Sequence, residues 1–369
     1  FIPDDDQRIG KRIQLSQQAK SGPLIDYGIS SFHLEQDIIN LKASGTEWVS
    51  SPIVAGGSQT VLFDMADPKV GSNFSFDARF RGHSITETSS SYHEVSLHYG
   101  NVNGEQLGST ISWSGSAARK ISGETPSLNL NNGSNLFFIK NSSSDANSSP
   151  YLDYLEVHYG RELFFGSEYE FILPILGQDV RLSINGQKPE DAKIWNISDP
   201  KNIFNLEIDD EGFCNYSSPS EYLSRFVIFN LSDINTITNL ELKSDQKFDV
   251  LRQTGLQNDY LIIGPEEFRD ESMELIGLRS PAIYASLENI YTEFSAGNSD
   301  PMAIRSFIQW TQESWQYPQP NCALILGDAG YDYRNITGQT SIIVPTIQVQ
   351  SSRTYATDDL LSAVYGNIP

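Results

Sequence analysis

Apolar and polar residues alternate with period two over long stretches of the chain. From His93 to Tyr99, the residues Val95, Leu97 and Tyr99 fall on one face and Glu94, Ser96 and His98 on the other. Tyr151–Tyr159 repeats the pattern, with Leu155, Val157 and Tyr159 opposite Glu156 and His158. Such alternation predicts half-buried strands. Further strands are predicted at Leu136–Ile139, Tyr169–Leu173, Val180–Ile184 and Arg225–Phe229. The pairs Asn103-Gly104, Asn132-Gly133 and Asn185-Gly186 predict hairpin turns, because both residue types tolerate positive φ. Asn141–Ser149, rich in serine and asparagine, reads as an exposed loop tip. Many short strands punctuated in this way predict sandwiches or barrels. Phe32–Leu41 fits an amphipathic helix or an extended arm with a turn at Gly45.

The pattern changes near Asn258. Asp259–Gly264 (DYLIIG) is an apolar run without alternation, as a parallel strand buried on both faces would be. Pro265–Leu278 has helical spacing, Ala282–Leu287 reads as a second strand and Asn289–Phe294 as a short helix. Asp300-Pro301 predicts a helix start, with an acceptor at the cap and proline in the first turn. Ala303, Phe307, Ile308 and Trp310 give that helix its buried face, and Ala323–Leu326 is the next strand. A further strand is predicted at Ser341–Val344. Alternating strands and helices imply a parallel sheet with crossover helices, whose chemistry gathers at the carboxyl ends of the strands. Asp328 stands at one such end.

The fold class expected is therefore multidomain, β followed by α/β. An arm over 1–52 leads into a β-sandwich-type region over 53–250 and then into the first part of a parallel α/β domain over 258–369. Three or four strands are too few to finish such a sheet, so a complete serine- or cysteine-peptidase site is not expected within these residues. Phe1 carries neither an initiator methionine nor a signal peptide, which reads as a processed or excised piece.

Composition narrows the partners. The formal net charge of -22 argues against nucleic acid and anionic membrane surfaces, both of which need a basic patch. No apolar run is long enough to cross a bilayer. Cys214 and Cys322 are the two cysteines and lie far apart, so no disulfide framework is expected. Sequons occur at Asn73, Asn141, Asn196 and Asn335 among others, a weak signal in a chain rich in asparagine and serine.

Side chains that could carry chemistry are few. All five histidines (His33, His83, His93, His98 and His158) precede Asn258. Cys322 opens the strand Asn321–Leu326, where a thiol reads as core packing, and Cys214 sits in a turn-rich stretch without a base nearby. Zinc spacings and a Gly-x-Ser-x-Gly elbow are lacking. Gly327-Asp328-Ala329-Gly330 has an acid where a phosphate would bind, which excludes a nucleotide loop. Asp209-Asp210-Glu211 and Asp358-Asp359 are acidic loops that offer calcium ligands but read more simply as solvated turns. Trp48, Trp113 and Trp195 could stack on sugars, although core packing is commoner.

Several ordered motifs nevertheless point one way. LILGDAGYDYRN (Leu324–Asn335) resembles a motif of the gingipain-like cysteine peptidases, in particular the sortases of type IX secretion. The resemblance extends to DYLIIGPEEF (Asp259–Phe268), NIYTEFSAGNSDPMAIRSFI (Asn289–Ile308) and VPTIQVQSSRTYATDDLLSAVYG (Val344–Gly366). In the β-rich part it covers LEQDIINLKASGTEWVS (Leu34–Ser50), YLDYLEVHYGREL (Tyr151–Leu163) and IWNISDPKNI (Ile194–Ile203). It favours the extended arm over the helix at Phe32–Leu41.

The resemblance implies a caspase-like α/β domain behind β-sandwich material, on the outer face of a bacterial outer membrane or secreted. It implies thiol attack on a peptide carbonyl, with a histidine as base and a carboxylate orienting it. In sortase members the acyl group passes to an amine on a surface glycolipid after a C-terminal sorting domain is cut from a secreted cargo protein. Asp358 matches the acid that supports the histidine, with Asp359 beside it, and Asp328 matches the strand-end acid; the nucleophile and base are expected beyond Pro369. No cofactor is required, with calcium at Asp358 and Asp359 as the candidate metal. Cargo protein and an outer-membrane anchor are the implied partners. The alternatives are a non-catalytic scaffold of the secretion machinery and a β-sandwich adhesion or carbohydrate-binding module.

Overall fold

The computed structural model describes residues 13–16, 19–41, 47–86, 88–126, 128–235, 250–338, 344–349, 355–357 and 359–362. They fall into two compact units, Phe1–Glu35 with Pro52–Thr238, and Gln36–Ser51 with Asn239–Pro369.

The chain opens with strands β1 (Gln14–Leu15), β2 (Leu24–Ile25) and β3 (Tyr27–Glu35), then visits the second unit with β4 (Ile39–Asn40) and β5 (Trp48–Val49). Back in the first unit follow β6 (Ser58–Met65), β7 (Asn73–Arg81), β8 (Tyr92–Tyr99), β9 (Glu105–Ser114), β10 (Ala118–Pro126), β11 (Gly133–Asn141) and β12 (Tyr151–Glu162). The unit closes with β13 (Tyr169–Leu173), β14 (Asp179–Ser183), β15 (Ala192–Asn196), β16 (Phe204–Leu206), β17 (Phe213–Ser217) and β18 (Ser224–Asn230). Phe32–Leu41 is thus extended, not helical.

One nine-stranded sheet, ordered β1-β16-β15-β18-β13-β3-β12-β7-β10, runs through this unit. A four-stranded sheet (β6-β11-β8-β9) covers one end and a three-stranded sheet (β17-β14-β2) the other. Strict alternation makes this possible. On β7, Phe74, Phe76, Ala78 and Phe80 all point inward, and Phe74 stacks on Phe137 at 5.8 Å. The second core forms around Phe171 and Phe226, stacked at 5.1 Å beneath Val180, Leu182 and Cys214. Burying each such ring contributes about 1.5–3 kcal/mol. The two halves of the long sheet meet at one register pair between β3 and β13, Ile29 with Ile172.

Two expectations fail here and a third holds only in part. Asn103-Gly104 does close the antiparallel β8–β9 hairpin. Asn132-Gly133 and Asn185-Gly186 do not make hairpins, because β10 and β11, and likewise β14 and β15, lie in different sheets. The glycines there do take positive φ, +105° and +91°, but they turn the chain from one layer to the other. The Asn141–Ser149 segment is exposed only in part: Ser142, Ser144 and Ala146 face solvent, whereas Asn141, Ser143, Ser148 and Ser149 are buried. The Asn141 amide donates to the carbonyl of Ile53 at 2.9 Å and to Ser148 Oγ at 3.0 Å. The Ser143 hydroxyl donates to the carbonyl of Tyr92. Polar side chains go inside when the backbone offers them partners. Burial of Asn141 also removes that sequon from solvent.

In the second unit β19 (Tyr260–Gly264) is the centre of a parallel sheet ordered β20-β19-β21, with β20 (Ala282–Ser286) and β21 (Cys322–Ile325) beside it. Leu261, Ile262 and Ile263 are completely buried, as the unbroken apolar run requires. A short 3-10 turn (Glu266–Phe268) leads into helix α1 (Arg269–Leu278), and α2 (Leu287–Phe294) and α3 (Pro301–Ser314) follow. Asp300 caps α3 by accepting from the Met302 amide at 2.8 Å, with Pro301 in the first turn. Ala303, Phe307 and Ile308 pack into the core with Ile290 and Trp315, and Trp310 is half-buried beside them. Beyond β21 come β22 (Ala329–Gly330), β23 (Val344–Pro345), β24 (Ile347–Val349), β25 (Tyr355–Thr357) and helix α4 (Asp359–Ser362). Of the strand expected at Ser341–Val344, residues 341–343 lie outside the described residues, as does Gly45. The chain is β-sandwich material joined to a parallel α/β unit.

Candidate active site

The carboxyl end of the three-stranded sheet is where a parallel α/β unit collects its chemistry. The central strand ends at Gly264, where a Cβ would stand 2.7 Å from the Tyr284 hydroxyl and 3.2 Å from Leu326 Cβ. That hydroxyl donates to the carbonyl of Pro265 at 2.6 Å. Glu266 next receives the Arg269 guanidinium, which holds its carboxyl below the usual carboxylate range. The Glu266 amide donates to Glu288 Oε2 at 2.9 Å, and Ser286 accepts from the Asn289 amide to cap α2. Two acids, one guanidinium and a helix start are thereby gathered at the ends of β19 and β20.

The neighbouring strand β21 leads through Gly327 to Asp328, which is exposed. The Asp328 carbonyl accepts from the Val344 amide at 3.0 Å and that of Gly330 from the Thr346 amide at 3.1 Å, so the loop start is tied to β23. Asp332 lies deeper in the same loop and is 5% exposed. Its carboxylate accepts from the amides of Ile336 and Thr337, each at 2.8 Å, and from the Thr337 hydroxyl at 2.5 Å. Burial pushes its pKa up, but these hydrogen bonds outweigh burial and hold it below the ordinary value. Asp332 is not among the acids that the sequence singles out; its one local signal is its place in the YDYRN stretch of the family-like run.

The other candidate residues are not brought together with these among the described residues. Asp358 lies outside the described residues; Asp359 begins α4. Cys322 is not in the core as expected. It is exposed, because β21 is an edge strand of its sheet among the described residues, and it opens the strand at the end remote from Asp328. Cys214 is buried on β17 and burial pushes its thiol up to about 12, which suits a packing residue and not a nucleophile. All five histidines belong to the first unit. Asp209 caps its own turn by accepting from the amides of Glu211 and Phe213. Among the described residues no three His, Cys, Asp or Glu side chains are arranged to hold a metal ion. Trp48 and Trp113 are buried, which leaves them no open stacking face, and Trp195 is half-buried with its ring roughly perpendicular to that of Phe229.

Residues 253–368 match the family model described as Peptidase family C25. None of the curated proteins matches the chain. Among solved structures, dimeric latent PorU from Porphyromonas gingivalis matches at a TM-score of 0.72 and 18% identity, over 96% of this chain and 36% of that one. The chain thus spans about a third of the length of that PorU chain. Two carbohydrate-binding modules also align. The CBM36-1 domain of a multidomain xylanase from the hindgut metagenome of Trinervitermes trinervoides has 13% identity, covering 35% of this chain and 96% of that one, at a TM-score of 0.23. CBM35 from Cellvibrio japonicus Abf62 has 14% identity, covering 36% and 99%, also at 0.23. Scores this low carry no argument about function. The chain is similar in sequence to peptidase family C25, the gingipain family, over residues 253–368, and similar in fold to PorU over nearly its whole length.

Proposed function

We propose that the chain is the N-terminal portion of a cell-surface, gingipain-like cysteine peptidase or sortase. The parent protein cuts C-terminal sorting domains from secreted cargo and transfers the cargo to a surface glycolipid. The observation that carries this reading is the C25 match over residues 253–368, set within a fold shared with PorU along 96% of the chain. Peptidase-family membership suggests protein substrates. No helix among the described residues is long and apolar enough to cross a membrane, and the reading assigns attachment to an outer-membrane partner.

In this reading the α/β unit supplies part of a caspase-like site. Asp358 is the acid that orients the catalytic imidazole: a carboxylate fixes its tautomer and stabilises the cation formed when the imidazole takes the thiol proton. Asp328 is the acid at the strand end. Asp358 and Asp359 are the candidate calcium ligands. The nucleophilic thiol and the base come from outside residues 1–369. This is supported by the burial of Cys214, by the position of Cys322 at the wrong end of its strand, and by the absence of histidine after Asn258.

The test is labelling of the full-length protein with a thiol-reactive peptidyl inhibitor. Stoichiometric labelling at one cysteine outside residues 1–369, lost on its change to alanine together with cargo cleavage, is the expected result. A folded full-length protein that takes no label acts as a scaffold, and the peptidase reading falls. Residues 1–369 by themselves are expected to turn over no peptide.

A further inference from the structure

Residues Gln36–Ser51 leave the first unit after β3 and return to it at Pro52, yet they belong to the second unit. Their two short strands pair antiparallel, Ile39 with Val49 and Asn40 with Trp48, and the Ile38 amide donates to the Val49 carbonyl at 3.0 Å. A two-stranded hairpin is marginal in water, so one with Trp48, Val49 and Ser50 buried draws its stability from what it packs on.

Two side chains show what that is. The Trp48 ring lies 6.2 Å from the ring of Tyr331, and Asp37 Oδ2 lies 2.9 Å from the Arg334 guanidinium. Tyr331 and Arg334 flank Asp332, whose carboxylate closes the turn through Ile336 and Thr337. The same short turn is thus held by its own buried carboxylate and, on both sides of it, by the hairpin. The start of that loop is Asp328, and its backbone is fixed to β23.

We propose that the hairpin is the positioning element of the loop that follows β21, with Asp37 and Trp48 setting the place of Asp328 through Arg334 and Tyr331. The catalytic meaning of that placement rests on the peptidase reading; the positioning itself does not. The α/β unit is then built from two separate stretches of chain, and a piece beginning after residue 250 lacks one of the two supports of this loop.

Charge reversal tests it in the full chain. Amide exchange over 327–338 is compared among the wild type, Asp37→Arg, Arg334→Asp and the double variant, with β19 as internal reference. Each single change should speed exchange in the loop about fivefold and leave β19 unchanged, and the double variant should restore protection. Unchanged exchange in the single variants, or no rescue in the double variant, overturns the proposal. So does a parallel rise in β19, because the pair would then support the whole unit. Rescue of the loop in a full-length protein that takes no peptidyl label would sustain the positioning role while removing the peptidase reading.

Discussion

Ser148 Oγ lies 2.8 Å from His93 Nδ1, and both side chains are wholly buried. On the other side of the ring, Nε2 faces the Gly115 carbonyl at 3.1 Å, so Nε2 carries the proton and Nδ1 accepts from the serine. The ring also packs against Trp113 at 4.8 Å. This serine and histidine form a structural pair, sealed from any substrate. Burial lowers the imidazole pKa from 6.5, more than the Gly115 contact and Asp145 raise it. The unfolded chain therefore binds a proton that the folded one refuses, and stability falls as pH drops below about 6.5. Urea midpoints measured from pH 7.5 to 5 should decline, and the decline should shrink in His93→Gln. An identical pH dependence in that variant would refute the assignment.

The two thiols should behave oppositely. Cys322 is exposed, whereas Cys214 is buried with its thiol pushed up to about 12. Native protein treated with a thiol reagent at pH 8 should yield one fast equivalent, mapped to Cys322, and the second only on denaturation. Rapid native modification of Cys214 would show that the second core opens.

Gly264 is predicted to be intolerant of any side chain. A Cβ there would meet the Tyr284 hydroxyl at 2.7 Å in the middle of a close-packed sheet end. Gly264→Ala should cost about 1–3 kcal/mol in urea unfolding. Adding Tyr284→Phe should recover part of that, since it removes the nearest atom. No cost in the single variant would mean that the sheet end is looser than its geometry.

Asp332 should be worth more to the loop than its exposed neighbour Asp328. Its carboxylate satisfies three donors, and Asp332→Ala removes the acceptor of the Ile336 and Thr337 amides, at about 1–3 kcal/mol. Because its folded pKa is depressed, its contribution is full above the ordinary value of 3.8 and is lost as pH falls through the lower folded value. Asp328→Ala should leave stability within about 0.5 kcal/mol, as exposed substitutions do. Equal thermal shifts in the two variants would contradict this division.

Much of the fold was legible in the chain because its two periods differ. Alternation along Tyr151–Tyr159 marked a strand that the structure extends to Glu162, and the unbroken run DYLIIG marked the centre of the parallel sheet. Asp300-Pro301 marked the start of α3 through local capping chemistry. The failures share a cause. Asn132-Gly133 looks like any hairpin turn, and only the pairing of β10 with β7 and of β11 with β6 and β8 shows that it crosses between layers. Asn141–Ser149 reads as solvated until Ile53, Tyr92 and His93 arrive from elsewhere in the chain as hydrogen-bond partners.

At the candidate site the division is the same. The sequence by itself determined the class of each segment, the strand end at Asp328 and the family-like run Leu324–Asn335, since these depend on neighbours in the chain. Tertiary structure alone decided that Cys322 faces solvent, that Asp332 is buried at the centre of its turn, and that Asp37 meets Arg334 across nearly three hundred residues. Those facts depend on which distant groups come together in space, and residue type and spacing do not encode that.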